Sequence, residues 1–174
     1  MLEIDKLESG HLPLHIDVVR INPLVSKAVA ALEPLAQDAD VHLLDCVPTD
    51  LPLLRIDEEQ IRRVVVNLLD NALRHTPANG QIRIEGSLED GTGYTRVGVI
   101  DSGEGIPAEL RERIFEKFVQ LPKTALRGPR GIGLGLTFCK LAVEAHGGHI
   151  WVESGPEGGA AFWFTLPVAE PQGS

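Results

Sequence analysis

Between positions 57 and 76 the apolar residues Ile61, Val64, Val65, Leu68, Leu69, Ala72 and Leu73 recur at the i, i+3, i+4, i+7 spacing of a helix with one buried face. Asp57 stands at the N-cap position, with Gln60 three residues on as in a capping box, and Pro77-Ala-Asn-Gly80 ends the run. Beside the apolar face runs a polar stripe. Asn67, Asn71 and Arg74, with Asp70 and His75 as neighbours, fall on successive turns and can face one object. Asn in mid-helix competes with the backbone for hydrogen bonds and costs propensity, so two of them one turn apart leave two readings open, a wet face or a polar ligand.

The rest of the chain alternates short periodic segments. Residues 1–9 read as a short helix stopped by Gly10, too short to stand alone and therefore expected to be the end of a longer helix. Residues 14–21 read as a strand, Asn22-Pro23 as the start of a helix running to about 39, residues 41–47 as a strand and 48–52 as a turn. Residues 81–86 and 94–100 alternate as strands, joined by a hairpin at Asp90-Gly91-Thr92-Gly93. A short helix is expected over 107–118, with Ile114, Phe115 and Phe118 read first as core. A mobile loop then mixes Pro122, Gly128 and Pro129 with Lys123, Arg127 and Arg130. A helix over 134–146 and strands over 149–153 and 160–166 close the pattern. Hairpin-joined strands with too few helices to interleave predict an α+β, two-layer α/β sandwich: a mixed, mostly antiparallel sheet with helices on one face. The domain spans 11–168, preceded by the helix end at 1–10 and followed by a tail at 169–174.

Composition narrows the function. A chain of 174 residues that is 43% hydrophobic can build one real core. A net charge of −9 argues against a general nucleic-acid or anionic-membrane binder. No apolar run approaches the roughly 20 residues needed to cross a bilayer, so the chain is expected to be cytoplasmic. Cys46 and Cys139 lack the spacing of a disulfide framework or a zinc site and are both expected to be buried. His11, His15, His42, His146 and His149 show no ligand spacing and are read as structural or surface.

Two glycine-rich stretches change the picture more. Asp101-Ser-Gly103-Glu-Gly105-Ile106-Pro107 puts a carboxylate at the end of an inner strand, then two glycines that can take positive φ and admit a ligand closely; a tight turn is the alternative. An ionised Asp only accepts, so it can read an exocyclic amino group. Gly131-Ile-Gly133-Leu134-Gly135-Leu136 runs into a helix, whose unpaired N–H groups and positive dipole end favour anions; a glycine hinge is the alternative. It fits neither a P-loop nor a dinucleotide fingerprint.

In this order, the Asn-bearing helix, Asp-x-Gly-x-Gly, the paired Phe and Gly-x-Gly-x-Gly over residues 57–147 resemble the N, G1, F and G2 boxes of sensor histidine kinases, in the GHKL superfamily. The resemblance implies the ATP-binding α/β sandwich of that superfamily. It implies that Asn71 holds Mg²⁺ on the ATP phosphates, Asn67 supports phosphates and metal, Arg74 and His75 contact phosphate or sugar, and Asp101 receives the adenine amino group. Gly103, Gly105 and Ile106 then line the base pocket. Arg130, Gly131, Gly133, Leu134, Gly135 and Leu136 lie at the phosphates, and residues 120–130 form an ATP lid. His75 stands where Tyr is commoner, and Gly128-Pro129-Arg130 replaces the usual Thr-Gly ahead of the last glycines. None of the six histidines lies in a phosphoacceptor box, so the resemblance implies a catalytic domain whose acceptor is elsewhere. The implied partners are a dimerisation and histidine-phosphotransfer domain and a response regulator receiver domain; the isolated chain would be a monomer and the parent kinase a homodimer. The alternatives are an ATPase of the same superfamily, which carries Glu at the position of Asn67 to activate water, and a non-catalytic nucleotide-dependent binding module, which would have lost one of the boxes.

Overall fold

The computed structural model describes residues 3–10, 13–117, 119 and 135–170. Its elements in chain order are α1 (Glu3–Glu8), β1 (Asp17–Val19), α2 (Ile21–Asp38), β2 (His42–Asp45), β3 (Leu54–Ile56), α3 (Glu58–His75), β4 (Gln81–Glu89), β5 (Tyr94–Asp101), α4 (Gly135–Ala145), β6 (Ile150–Ser154) and β7 (Ala160–Pro167). The main sheet has the order β2-β4-β5-β7-β6; β2 runs parallel to β4 and every other pairing is antiparallel. On one face lie α2, α3 and α4, and the core between layers holds Phe162 and Phe164 of β7, Val97 and Val99 of β5, and Ile82 and Ile84 of β4. The opposite face carries a small cluster in which Trp163 covers Gly98 and the Arg96 Cζ stands 4.3 Å from the Trp163 ring.

All seven apolar positions predicted for α3 are buried. Glu58 and Glu59 in its first turn and Arg74 and His75 in its last complement the helix dipole. The Asp57 cap holds, with Oδ1 accepting from the Gln60 N–H at 3.1 Å and Oδ2 from the His15 N–H at 2.9 Å. The box is not reciprocal, because the Asp57 N–H donates instead to His146 Nε2 at 3.0 Å. Nδ1 of His146 lies 2.6 Å from the Ala142 carbonyl, so the ring carries its hydrogen on Nδ1 and accepts at Nε2. This buried histidine ties the start of α3 to the end of α4.

Further contacts register the two helices as an antiparallel pair. Arg63 lies over the Phe138 ring, the Cys139 thiol faces the Val64 carbonyl at 3.7 Å, and a Cβ on Gly135 would sit 3.9 Å from Asn67. Ten residues along α3 thus pair with eleven along α4.

Several expectations are corrected. Where a helix is expected over 107–118, the described residues 107–117 form two 3-10 turns, Ala108–Leu110 and Arg113–Phe115, rather than an α-helix. The Phe115 carbonyl accepts from Thr137 Oγ1 at 2.9 Å instead of continuing a ladder, and the ring meets Phe162 edge-on at 6.2 Å. Ile114 and Phe115 are core as expected; Phe118 lies outside the described residues. α2 starts at Ile21, with Arg20 as N-cap, because the Asn22 amide is spent on the Val47 and Pro48 carbonyls. The strand expected over 14–21 shrinks to β1, whose partner β3 falls in a stretch where the sequence pattern predicts no strand. Cys139 is buried but Cys46, just beyond the edge strand β2, is exposed. Ile4 of α1 is buried as α1 packs on α4, and Lys117 pairs with Asp5 at 3.4 Å and Glu8 at 2.8 Å. Such exposed pairs are worth little by themselves.

Candidate functional site

Antiparallel pairing with β7 brings the end of β5 inside the sheet, and there Asp101 is 4% exposed. Its Oδ1 accepts from the Gly103 N–H at 2.9 Å and the Ala160 N–H at 3.2 Å. Burial pushes the carboxyl above its ordinary pKa, and the two N–H bonds pull the other way without cancelling it. Both bonds fall on one oxygen, so Oδ2 is the acceptor left for a ligand.

The loop after Asp101 is held by backbone packing. A Cβ on Gly103 would strike the His75 carbonyl, so the loop lies directly on the last turn of α3. Gly105 has φ +78° and its Cβ position lies 2.7 Å from the Gly158 carbonyl. Ile106 is buried, and its carbonyl accepts from Arg111 Nε at 3.2 Å. Asp101, Gly103, Gly105, Ile106 and the His75 backbone therefore form one cluster. Sequence reasoning missed the turn between β6 and β7. A Cβ on Gly159 would fall on the Asp101 carbonyl, and Ala160 supplies one of the N–H bonds to Asp101. The cue was Gly155-Pro-Glu-Gly158-Gly159, denser in glycine than a hairpin needs, but its partner lies 59 residues away in sequence.

The polar stripe of α3 starts at this cluster and runs to α4. Arg74 Nε pairs with Asp70 Oδ2 at 3.0 Å on a partly exposed surface. Asn71 is half-buried in the middle, and Asn67 stands beside Gly135, the first residue of α4. Beside it the Cys139 thiol, whose pKa burial pushes far up, is a neutral packing group. Gly135 is exposed and Leu136 is packed on the core. From His75 to Asn67 is about 12 Å at 1.5 Å per residue, so the acidic acceptor and the helix N-terminus stand at opposite ends of one polar face. Arg130, Gly131, Gly133 and Leu134, the expected lid with Lys123, Arg127 and their neighbours, and the tail at 171–174 lie outside the described residues. Among the described residues no three or more His, Cys, Asp or Glu gather as a metal site, and no helix is long and apolar enough to cross a membrane.

Known proteins share this fold. The family described as "Histidine kinase-, DNA gyrase B-, and HSP90-like ATPase" matches residues 56–170. Adaptive-response sensory kinase SasA of Synechococcus sp. (strain CC9311) is 40% identical over 161 residues, 92% of this chain and 41% of the relative. This chain thus spans about two-fifths of the length of such relatives. Among solved structures, full-length ShkA in complex with AMPPNP superposes with a TM-score of 0.83 at 31% identity, over 97% of this chain and 34% of that one. The catalytic domain of histidine kinase ThkA gives 0.77 at 30% identity, over 90% of this chain and all 100% of that one. ThkA has also been solved in complex with the response regulator protein TrrA, matching at a TM-score of 0.75 and 28% identity over 95% of this chain and 46% of that one.

Proposed function

This chain belongs to the histidine kinase-, DNA gyrase B-, and HSP90-like ATPase family, and on that footing we propose that it is the catalytic domain of a two-component sensor histidine kinase, moving the γ-phosphoryl group of Mg²⁺-ATP to a histidine on a separate dimerisation and histidine-phosphotransfer domain. The observation that carries this reading is the polar face of α3, with the buried acceptor Asp101 at one end and the N-terminus of α4 at the other. That face suits an extended nucleotide better than a single small anion.

In this reading Asp101 Oδ2 accepts from the adenine amino group, and Gly103, Gly105 and Ile106 wall the base. Arg74 and His75 flank the sugar and phosphates. Asn67 and the backbone of Arg130, Gly131, Gly133, Leu134, Gly135 and Leu136 hold the triphosphate, where N–H groups and the helix dipole meet negative charge. The donor set fits Mg²⁺, which takes a few hard protein oxygens plus phosphates and waters: the Asn71 amide oxygen is such a ligand, and no larger acidic cluster competes for the ion among the described residues. When bound, Mg²⁺ neutralises the charge on the phosphate oxygens.

In the transfer, a lone pair on the acceptor imidazole forms the P–N bond while the bond from the γ-phosphorus to the β,γ-bridging oxygen breaks. That electron pair leaves with ADP, and the proton of the imidazole goes to solvent. Asn67 cannot act as a base for water, which favours transfer over hydrolysis. The phosphohistidine then serves a receiver domain of a response regulator, in the cytoplasm, within a homodimeric parent kinase.

With radiolabelled ATP the chain alone should neither label itself nor hydrolyse quickly, and an added dimerisation domain should gain an acid-labile, base-stable label. Rapid steady hydrolysis by the chain alone would point to the ATPase class instead. Calorimetry tests the metal ligand. Wild-type protein should bind ATP more tightly with Mg²⁺ than without, and Asn71→Ala should lose that difference. Retained Mg²⁺ dependence in the variant would remove Asn71 from the site.

A further inference from the structure

The two N–H groups that hold Asp101 Oδ1 come from different elements: Gly103 stands in the loop after β5, and Ala160 begins β7. Arg111 fastens those elements together. Its Nε donates to the carbonyl of Ile106, three residues after Gly103, at 3.2 Å, and its Nη2 donates to Ser154 Oγ at 2.8 Å. Ser154 is the last residue of β6 and the cross-strand partner of Ala160. The same loop and turn also meet at Gly105, whose Cβ position lies 2.7 Å from the Gly158 carbonyl.

We propose that Arg111 is a positioning residue for the base: by bridging Ile106 and Ser154 it holds the Gly103 and Ala160 N–H groups in register on Oδ1, which keeps Asp101 Oδ2 turned to the adenine amino group. The inference rests on adenine lying at Asp101. Two features support it. First, the guanidinium is planar and rigid, with Nε and Nη2 on one edge, so two acceptors bound there are fixed relative to each other. Second, the local fold delivers Arg111 to this place. The 3-10 turn Ala108–Leu110 ends with the Arg111 N–H on the Ala108 carbonyl at 3.4 Å, and the side chain then reaches back to Ile106. The bond to Ile106 is partly buried and the bond to Ser154 is exposed, so the first carries the larger share of the effect. A base pocket whose supporting contacts loosen loses affinity even when every residue that touches the ligand is still present.

A role in stability alone, or in charge alone, separates from this one by experiment. Arg111→Met loses both donors, Arg111→Lys keeps the charge without the paired donors of one edge, and Ser154→Ala removes one acceptor from an exposed position where folding is not at stake. For each, thermal stability, the calorimetric Kd for ADP, and the ATP KM and saturating rate of transfer to a dimerisation and histidine-phosphotransfer domain in trans are measured. Arg111→Met should raise the ADP Kd and the ATP KM together by about three- to tenfold and leave the saturating rate within about twofold. Arg111→Lys should recover part of that loss, and Ser154→Ala should raise the ADP Kd about twofold. The double variant Arg111→Met/Ser154→Ala should bind no worse than Arg111→Met, since both changes break one bridge. Lowered stability with an unchanged ADP Kd, a slower saturating rate with an unchanged KM, full recovery by lysine, or additive losses in the double variant would overturn the proposal; should Arg111→Met not fold, an unchanged ADP Kd in Ser154→Ala overturns it alone. Failure of the wild-type chain to bind ADP or to label the acceptor histidine is a failure of the kinase reading itself, visible before any variant is made.

Discussion

Asp101→Asn is expected to weaken ATP and ADP binding by about ten- to a hundredfold while the fold survives, the effect of losing one charge-assisted hydrogen bond. The geometry makes the direction firm. Oδ1 of Asp101 is bound by two backbone N–H groups, from Gly103 and Ala160, so the amide oxygen of Asn must occupy that place. Its NH₂ then replaces Oδ2, and a donor faces the amino group of adenine. Calorimetry with ADP, backed by a denaturant melt of the ligand-free variant, checks both halves. Undiminished affinity would reduce Asp101 to a turn residue.

The same substitution has a pH signature in the ligand-free protein. Burial raises the native pKa of Asp101 above the ordinary 3.8, so over that window the folded state binds more protons than the unfolded chain. This contribution to stability is present in full below 3.8 and is lost as pH rises through the raised native value. The stability of Asp101→Asn relative to wild type should therefore improve as pH rises across the window. Adenine binding should run oppositely, with wild-type affinity falling as acid protonates the carboxylate. A buried carboxylate that weakens its own fold is the cost expected of a residue kept for function rather than for architecture.

Gly159→Ala should damage fold and site together. The new Cβ falls on the Asp101 carbonyl and 2.8 Å from its Oδ1, and a backbone neighbour inside a sheet cannot swing aside. Overpacking of this kind costs about 1–3 kcal/mol. It also shifts the Ala160 N–H that orients Asp101, so nucleotide affinity should drop with stability. Gly158→Ala is the control. It has open space around it and only φ +86° to pay for, about 1–2 kcal/mol of strain, with no contact to Asp101 to disturb. Chemical denaturation and ADP titration of both variants decide it; equal behaviour of the two would mean that the turn yields without moving Asp101.

What the sequence determined by itself was whatever a single segment encodes. The 3.6-residue period predicted every buried position of α3, and the Asp-Gly hairpin predicted the pairing of β4 with β5. The same local logic marked Asp101 and its glycines, because a carboxylate and permissive backbone are legible within a few residues. It failed where a partner far along the chain competes for the same group. Gln60 was expected to close the capping box, but His146 had taken the Asp57 N–H from 89 residues away. The helix expected over 107–118 gave way where Thr137 claimed the Phe115 carbonyl. Strand β3 was invisible because three residues hold too little alternation, and only its antiparallel pairing with β1 makes it a strand. The site shows the same division. Its residue types were readable one motif at a time. That Oδ1 of Asp101 is already bound and Oδ2 left to accept, and that Gly159 backs it, were decided by tertiary structure, because each depends on which distant backbone arrives alongside.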